Sequence, residues 1–148
     1  MAREPGFVRV EGAKELIRAF RELDKAVPRE VRAATKKLVE ETVIPKARMR
    51  GQQVRTNLKG NPTRLGSRGV ASIRPEVRQD RVAVVMGGAR VPYAAGHEWG
   101  SKRYRQFPPS TKDGYILYPT VKEEARRFAE EYGQLLQDLA DRYLKGAA

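Results

Sequence analysis

The residues most able to do chemistry lie together in residues 91–101, VPYAAGHEWGS. This stretch holds the only histidine and the only tryptophan of the chain, His97 and Trp99, with Glu98 between them. A histidine beside a glutamate can act in general acid–base chemistry or bind a metal ion. Aromatic residues are also enriched where proteins meet, because they bury a large apolar area. The rest of the sequence has to separate these interpretations.

An enzymatic role for His97 finds little support elsewhere in the chain. The pair His97-Glu98 matches the start of the H-E-x-x-H motif, which needs a second histidine that this chain lacks. There is no cysteine, so an ordinary zinc site cannot be assembled. No nucleophile elbow or glycine-rich phosphate loop is present. We expect no catalytic residue, no metal and no cofactor, with a metal-free ribonuclease that uses Arg, Lys and His97 kept as an alternative.

The net charge of +12 is the strongest bulk property of the chain. Residues 42–75 hold eight basic and no acidic side chains, which is two thirds of that charge. Such a balance indicates a polyanionic partner, usually nucleic acid, although acidic neighbours in an assembly would also suit it. Base-stacking aromatics and recognition motifs are absent here, which argues against sequence-specific binding. Non-specific phosphate contact is assigned to six residues: Arg48, Arg50, Arg55, Lys59, Arg64 and Arg68.

The first half of the chain is predicted to be helical up to a long loop. A short strand near Phe7 precedes a helix over residues 13–27, whose apolar positions recur at three and four. A second helix covers residues 28–50, and Pro45 is expected to kink it or end it early. Its inward positions are Val31, Ala34, Leu38 and Val43. Residues 51–69 have four glycines and no apolar period, which predicts a flexible basic loop.

The second half is predicted to hold the sheet and a long C-terminal helix. Alternating valines and isoleucines in residues 70–77 and 80–88 indicate a β-hairpin. Residues 91–101 are expected to form a short strand or turn, and residues 115–119, YILYP, a final strand. Thr120 and Glu123 form a T-x-x-E capping box at the start of a helix over residues 119–145. Its apolar stripe is Val121, Ala125, Phe128, Tyr132, Leu135, Leu136, Leu139 and Tyr143.

These elements predict one α+β domain over residues 1–148. A small antiparallel sheet of three to four strands is packed by the N-terminal helices and the long C-terminal helix, with the long basic loop between them. The first residues show no apolar core of a signal peptide, and no apolar run is long enough to cross a bilayer. We therefore expect a soluble protein of a cytoplasm, with no membrane partner.

Several features in a fixed order carry a resemblance to a known family. Gly12 opens an amphipathic helix, and the second helix ends in the basic stretch IPKARMR. Residues 68–73 loosely match a G-x-L-x-x-S-I segment, and residues 93–101 fit Tyr-Ala-x-x-x-Glu-aromatic-Gly-Thr, with Ser101 in place of threonine. Residues 115–120, YILYPT, fit an aromatic P-F-L-x-P-A segment. Together these features resemble the tail-completion, head–tail joining or minor tail (neck) proteins of long-tailed lambdoid-type bacteriophages.

The resemblance implies a structural virion protein without catalytic residues. Such a protein is a subunit of a homo-oligomeric ring, six copies favoured over twelve, between the capsid portal and the tail tube. Its neighbours are stopper or adaptor proteins and tail terminator or tail tube proteins. It contacts genomic double-stranded DNA without sequence preference, and its basic loop faces the DNA channel or an adjoining ring. It resides in the virion neck, and in the host cytoplasm during assembly. The expected subunit interface comprises Tyr93, Glu98, Trp99, Gly100 and Tyr118. A free cytoplasmic nucleic-acid-binding protein is the alternative.

Overall fold

The computed structural model describes residues 7–8, 18, 27–78, 82–109 and 113–145. Helices and small antiparallel sheets alternate in it, which confirms the α+β class. The predicted first helix lies outside the described residues apart from Arg18, which is helical, and Val27. The elements in chain order are β1 (Phe7–Val8), α1 (Val27–Gln52), β2 (Arg55–Thr56), β3 (Pro62–Thr63), α2 (Ser67–Ala71), β4 (Arg74–Val77), β5 (Val82–Val85), α3 (Ala94–Trp99) and α4 (Leu117–Lys145).

The two long helices, α1 and α4, pack against each other, and α1 also packs against β4. The apolar stripe predicted for α4 lies in this core, with Phe128 and Tyr132 buried and their rings stacked 5.8 Å apart. The predicted inward face of α1 is confirmed but incomplete. Thr35 is also fully buried, and its Oγ1 donates to the carbonyl oxygen of Val31 at 2.7 Å. A threonine can thus occupy the core because its hydroxyl finds a partner within the helix.

Pro45 neither ends α1 nor separates it into two helices, since α1 continues to Gln52. The proline lies at an exposed position of the helix. A proline there leaves the carbonyl four residues earlier without its helical donor, and on the exposed side water can supply one. Of the two effects predicted for Pro45, a kink or an early end, the early end is therefore wrong.

The main sheet has the strand order β1-β5-β4, with both pairings antiparallel. Its centre is the predicted hairpin, in which Arg74 pairs with Val85 and Val77 with Val82. The sheet is smaller than predicted, because among the described residues β1 contributes two positions and no strand follows β5. Of the two predictions for residues 91–101, a short strand or a turn, the turn is confirmed for its first residues, and the helix α3 that follows was not predicted.

The predicted final strand at residues 115–119 is wrong as well. Tyr115 and Ile116 form a bend, and α4 begins at Leu117. The predicted capping residue, Thr120, therefore lies inside the first turn, where its Oγ1 donates to the carbonyl oxygen of Ile116 at 2.6 Å. The apolar residues of YILYP are buried as a helix start instead of a strand, and the cap of this helix comes from elsewhere in the chain.

Residues 51–69 are not an unstructured arm. They contain the β2–β3 hairpin, in which Arg55 pairs with Thr63. Leu65 follows it and is fully buried, with its N–H bonded to the carbonyl oxygen of Gly51 at 3.0 Å. A Cβ on Gly69 would lie 2.3 Å from Leu65 Cδ1, so that glycine makes room for the buried leucine. The segment had no apolar period because one buried leucine anchors it.

Candidate nucleic-acid interface

The six basic residues predicted to contact phosphate do not share one environment. Arg50 and Arg55 are half-buried, whereas the other four are exposed: Arg48, Lys59, Arg64 and Arg68. Arg50 Nη2 lies 2.5 Å from Oε2 of Glu123 in the first turns of α4. This ion pair joins the end of α1 to α4, so the charge of Arg50 is already matched within the chain.

Arg55, on β2, is held by the fold on several sides. Its Nη2 donates to the carbonyl oxygens of Arg50 at 2.7 Å and of Tyr115 at 3.2 Å. Its guanidinium carbon lies 5.2 Å from the centroid of the Tyr115 ring, within cation–π range. Burial lowers the pKa of Arg55 from its ordinary value, and the negative charge of Glu98 opposes that shift. Arg55 therefore fastens the β2–β3 hairpin to the start of α4.

Lys59 lies apart from the other exposed cations, in the turn between β2 and β3. Asn57 Oδ1 accepts hydrogen bonds from the backbone N–H groups of Lys59 and Asn61, both at 2.9 Å. Gly60 completes the turn at a φ of 79°, a conformation that favours glycine. The side chain of Asn57 thus fixes the turn. Lys59 lines neither of the two clefts described below.

The remaining cations surround two adjoining clefts beside α2. The first cleft, of about 820 Å³, has Arg48 and Arg64 in its lining. The second, of about 840 Å³, has Arg68, Arg74 and Arg90 in its lining. Ala71 lines both clefts, and no acidic side chain of the described residues lines either. We call these five arginines the basic face: Arg48, Arg64, Arg68, Arg74 and Arg90.

The sequence analysis missed Arg74 and Arg90. Arg74 opens β4, and Arg90 lies in the turn after β5, where Gly88 bridges to Val91. The predicted hairpin contained the signal, because antiparallel pairing puts the start of one strand beside the end of the other. Residues that precede β4, such as Arg68, therefore lie near residues that follow β5, such as Arg90.

Glu98 is the cap of α4. It is 3% exposed, although it was expected at a subunit interface or sheet edge. One carboxylate oxygen accepts from the N–H groups of Ile116 at 2.9 Å and Leu117 at 2.8 Å, and the other from Tyr118 N–H at 3.0 Å. A helix leaves such N–H groups at its start without partners within the helix. A negative charge there also interacts favourably with the positive end of the helix dipole. The carboxylate of Glu98 is thus already bonded within the chain.

The backbone around Glu98 is built to let this carboxylate approach. Gly114 has a φ of 69°, and a Cβ there would lie 2.3 Å from Glu98 Oε1. The backbone of Glu98 also takes part, because its carbonyl accepts from Tyr115 N–H at 2.9 Å. Gly100 ends α3 at a φ of 72°, where a Cβ would come within 2.4 Å of the Pro108 carbonyl oxygen. The cluster of glycines and Glu98 in the sequence is therefore the connection between α3 and α4.

Three tyrosines near this connection remain exposed. Tyr93 is 37% exposed, Tyr118 is 36% exposed, and Tyr104, which the sequence analysis did not single out, is 49% exposed. Trp99 is half-buried, and its ring lies 6.3 Å from that of Tyr118. We call these four residues the aromatic surface. The role of Tyr93, Trp99, Gly100 and Tyr118 at a subunit contact stays a prediction.

His97 is buried, and its ring lies between two aromatic rings. The ring centroids of Tyr93 and Phe107 lie 5.8 and 5.3 Å from it, both in edge-to-face arrangements. Burial lowers the pKa of His97 below 6.5, and the positive charge of Arg55 lowers it further. His97 is therefore neutral at pH 7, and it lines neither cleft.

The described residues offer neither a metal site nor a membrane-spanning helix. Among the described residues no group of three or more His, Cys, Asp or Glu side chains could hold a metal ion. None of the helices in this part of the chain is both long and apolar enough to cross a membrane. Comparison of the chain with protein-family models, with curated proteins and with solved structures found no match.

Proposed function

We propose that this chain is a structural subunit of the neck of a tailed bacteriophage. It forms a homo-oligomeric ring between the capsid portal complex and the tail tube, and its basic face lies toward the DNA channel. The observation that carries this proposal is the basic face itself, five arginines around two clefts without an acidic side chain in the described lining. A conduit needs weak, sequence-independent contact with DNA, which exposed arginines beside open clefts can give.

Two of the segments that carry the family resemblance, residues 93–101 and 115–120, meet in the folded chain, which also supports the proposal. Residues 68–73 cover most of α2 and lead into β4, so they lie between the two clefts. Residues 93–101 form α3, and residues 115–120 begin α4. Glu98 joins these last two segments through its three hydrogen bonds. Val70 and Ile73 of the first segment and Ile116 and Leu117 of the third belong to the same hydrophobic core.

The aromatic surface supplies the subunit contact in this proposal. Exposed tyrosines, of which Tyr118 lies 6.3 Å from the half-buried Trp99 ring, are typical of protein interfaces, because such side chains bury much area at a small entropy cost. A ring closes by head-to-tail contacts, in which this surface meets a different surface of the next copy. The number of copies proposed is six, which rests on the family resemblance.

The first experiment is immunogold electron microscopy with an antibody raised against this chain. The specimens are virions produced by cells that express the gene. Gold at the junction of head and tail would support the neck assignment. Intact tailed particles without gold, with the protein left in the soluble fraction, would overturn it and favour the free nucleic-acid-binding protein or the ribonuclease.

A second experiment tests the aromatic surface by genetic complementation. Tyr93→Ala together with Tyr118→Ala should yield separate heads and tails, because the ring contact is lost. Met49→Ala is the matched control, since Met49 is a 66% exposed apolar side chain outside this surface. Circular dichroism of both purified variants should show native helix content. Infectious particles at the wild-type level from the double variant would refute the assignment of the aromatic surface.

A further inference from the structure

We infer that the cleft lined by Arg68, Arg74 and Arg90 is a binding site for the phosphodiester backbone of double-stranded DNA. Two of these arginines lie outside the basic loop to which the sequence assigned the contact. The inference names the residues of the DNA contact in the proposed function, and it rests on that function only for the choice of DNA as the phosphate carrier. The fit of the cleft to a chain of linked phosphate groups follows from its own geometry.

The shape of the cleft suits a linear chain of phosphates. Small residues line it between the arginines: Ala71, Ser72, Gly87, Gly88 and Ala89. A Cβ built on Gly88 would meet no atom within 4 Å, so the space above this backbone is open. A sugar–phosphate backbone can therefore approach the protein backbone closely, while long side chains at the rim reach its oxygens.

Arg74 is already positioned before any ligand binds. Its Nη1 donates to the carbonyl oxygens of Ser72 at 3.0 Å and Gly87 at 2.9 Å. Ser72 Oγ in turn accepts from Gly87 N–H at 3.0 Å, which joins the start of β4 to the turn after β5. Guanidinium carries five N–H donors in a rigid plane, so Nη2 and Nε remain to bind a phosphate. Little side-chain entropy is then lost when Arg74 meets an anion.

Arg68 and Arg90 carry positive charges that the described part of the chain does not neutralise. Both are exposed, and neither forms an ion pair or a side-chain hydrogen bond with a described residue. No acidic side chain of the described residues lines the cleft. Other arginines of the chain are paired, as Arg50 is with Glu123. The three charges around this cleft therefore repel one another until an anion enters.

The same lining disfavours recognition of bases. No aromatic side chain of the described residues lines the cleft, so unstacked bases have nothing to stack upon. The flanking elements are a five-residue helix and a turn, neither long enough to enter a major groove as a recognition helix does. Contact is therefore with the backbone, and binding is independent of sequence.

The test measures binding of a fluorescein-labelled duplex to the purified chain by anisotropy, over a series of salt concentrations. The test variant is Arg68→Gln with Arg90→Gln. The matched control is Arg29→Gln with Arg32→Gln, which removes the same charge from exposed positions of α1 outside both clefts. Arg32 lies about 24 Å along α1 from Arg48, the nearest arginine of the basic face on that helix.

Each lost phosphate contact lowers the slope of log K against log salt by about 0.9. The test variant should therefore lose about 1.8 units of slope and bind roughly 50-fold more weakly at 0.1 M salt. The control should keep the wild-type slope, and two duplexes of different sequence should bind equally to the wild type. Equal losses in test and control variants, or no duplex binding by the wild type, would overturn the inference.

Titration with inorganic phosphate distinguishes a site for the DNA backbone from a site for a small phosphorylated ligand. In isothermal titration calorimetry, the wild-type chain should show no saturable binding of inorganic phosphate beyond the effect of chloride at equal ionic strength. Saturation at micromolar phosphate, lost in the test variant, would replace DNA by a small phosphorylated ligand. Failure of the neck assignment can be told apart from failure of this inference. If virions carry no gold label but the duplex still binds and loses affinity in the test variant, the neck assignment fails and the cleft remains a DNA site. A wild-type chain that binds an acidic peptide but no duplex would assign the cleft to a protein partner.

Discussion

Glu98 and the cleft of Arg68, Arg74 and Arg90 differ in whether their charges find partners within the chain. Glu98 is 3% exposed and accepts three backbone hydrogen bonds, so the fold uses its negative charge fully. Arg68 and Arg90 lie in the open and meet no counter-charge among the described residues. A matched buried charge stabilises the chain itself, whereas an unmatched exposed charge is available to a partner.

This comparison changes the meaning of the conspicuous stretch at residues 91–101. Its histidine and its glutamate could have served acid–base or metal chemistry, yet Glu98 caps α4 and His97 is a buried ring between two aromatic rings. The arginines of the basic face, which lie beside α2 and the β4–β5 hairpin, are exposed. His97 and Glu98 are therefore explained by their contacts within the fold, whereas the exposed arginines are available to a partner.

The largest effect is expected from removal of the Glu98 carboxylate. Glu98→Ala leaves three N–H groups at and just before the start of α4 without an acceptor, two of them buried, and should lower the free energy of unfolding by about 3 kcal/mol. Glu98→Gln retains one acceptor oxygen and should cost about half as much. Urea denaturation followed by circular dichroism measures both. Glu130→Gln is the control, because Glu130 is exposed and pairs only with exposed Arg126.

A change below 1 kcal/mol for Glu98→Ala would show that water replaces the carboxylate without cost, and the contrast between the two regions would fail.

A second pair of variants compares glycines in the two regions. A Cβ on Gly96 would lie 2.5 Å from Cε2 of the Phe107 ring, so Gly96→Ala should destabilise the chain by about 2 kcal/mol through overpacking. Gly66 lines the neighbouring cleft, has an ordinary φ of −70°, and would meet no atom within 4 Å. Gly66→Ala should leave stability unchanged or raise it slightly. Equal thermal shifts in the two variants would contradict this difference in packing.

Arg55 and Arg64 provide a smaller contrast within the predicted basic loop. Arg55→Ala removes charged donors from the carbonyls of Arg50 and Tyr115 and should cost about 1.5 kcal/mol in urea denaturation. Arg64 is exposed, so Arg64→Ala should leave the midpoint unchanged. In the duplex-binding assay the order should reverse, with Arg64→Ala weakening binding more than Arg55→Ala. The same order in both assays would mean that the two arginines have equivalent environments.

The smallest effect is the pH dependence that His97 introduces. Its pKa is lower in the folded chain than the ordinary 6.5, so the unfolded chain binds more protons between these two values. Stability should be level above pH 6.5, fall as the pH drops below it, and stop falling under the folded pKa. His97→Gln should flatten the curve between pH 7 and about 5, above the range where carboxylates titrate. An unchanged curve in this variant would show that His97 does not contribute.

The outline of the fold was predictable because its signals are local in the sequence. The spacing of Phe128, Tyr132 and Leu136 predicts one buried face of α4, and the alternation in residues 82–85 predicts β5. The strand predicted at residues 115–119 failed for a physical reason. Apolar residues there are buried as the first turn of a helix, and a short apolar run does not distinguish a strand from a buried helix end.

The candidate site was predictable only in part. Excess positive charge in residues 42–75 is visible in the sequence, but the division between Arg55 and Arg68 is not. Arg55 is engaged because Tyr115, 60 positions away, presents its carbonyl and its ring to the guanidinium. Arg74 belongs to the basic segment but was assigned to the hairpin and not to phosphate contact. Arg90 lies outside that segment, and only the folded chain brings it to the same cleft as Arg68 and Arg74.

The sequence by itself determined the α+β class, the amphipathic faces of the long helices, the central hairpin and the excess of positive charge. These follow from the periodicity of apolar residues and from composition, which are properties of neighbours in the chain. Only the tertiary structure decided that Glu98 caps α4 and that Arg68 meets Arg74 and Arg90 in one cleft. Whether a charge is matched within the chain depends on groups distant in sequence, so local patterns carry no information about it.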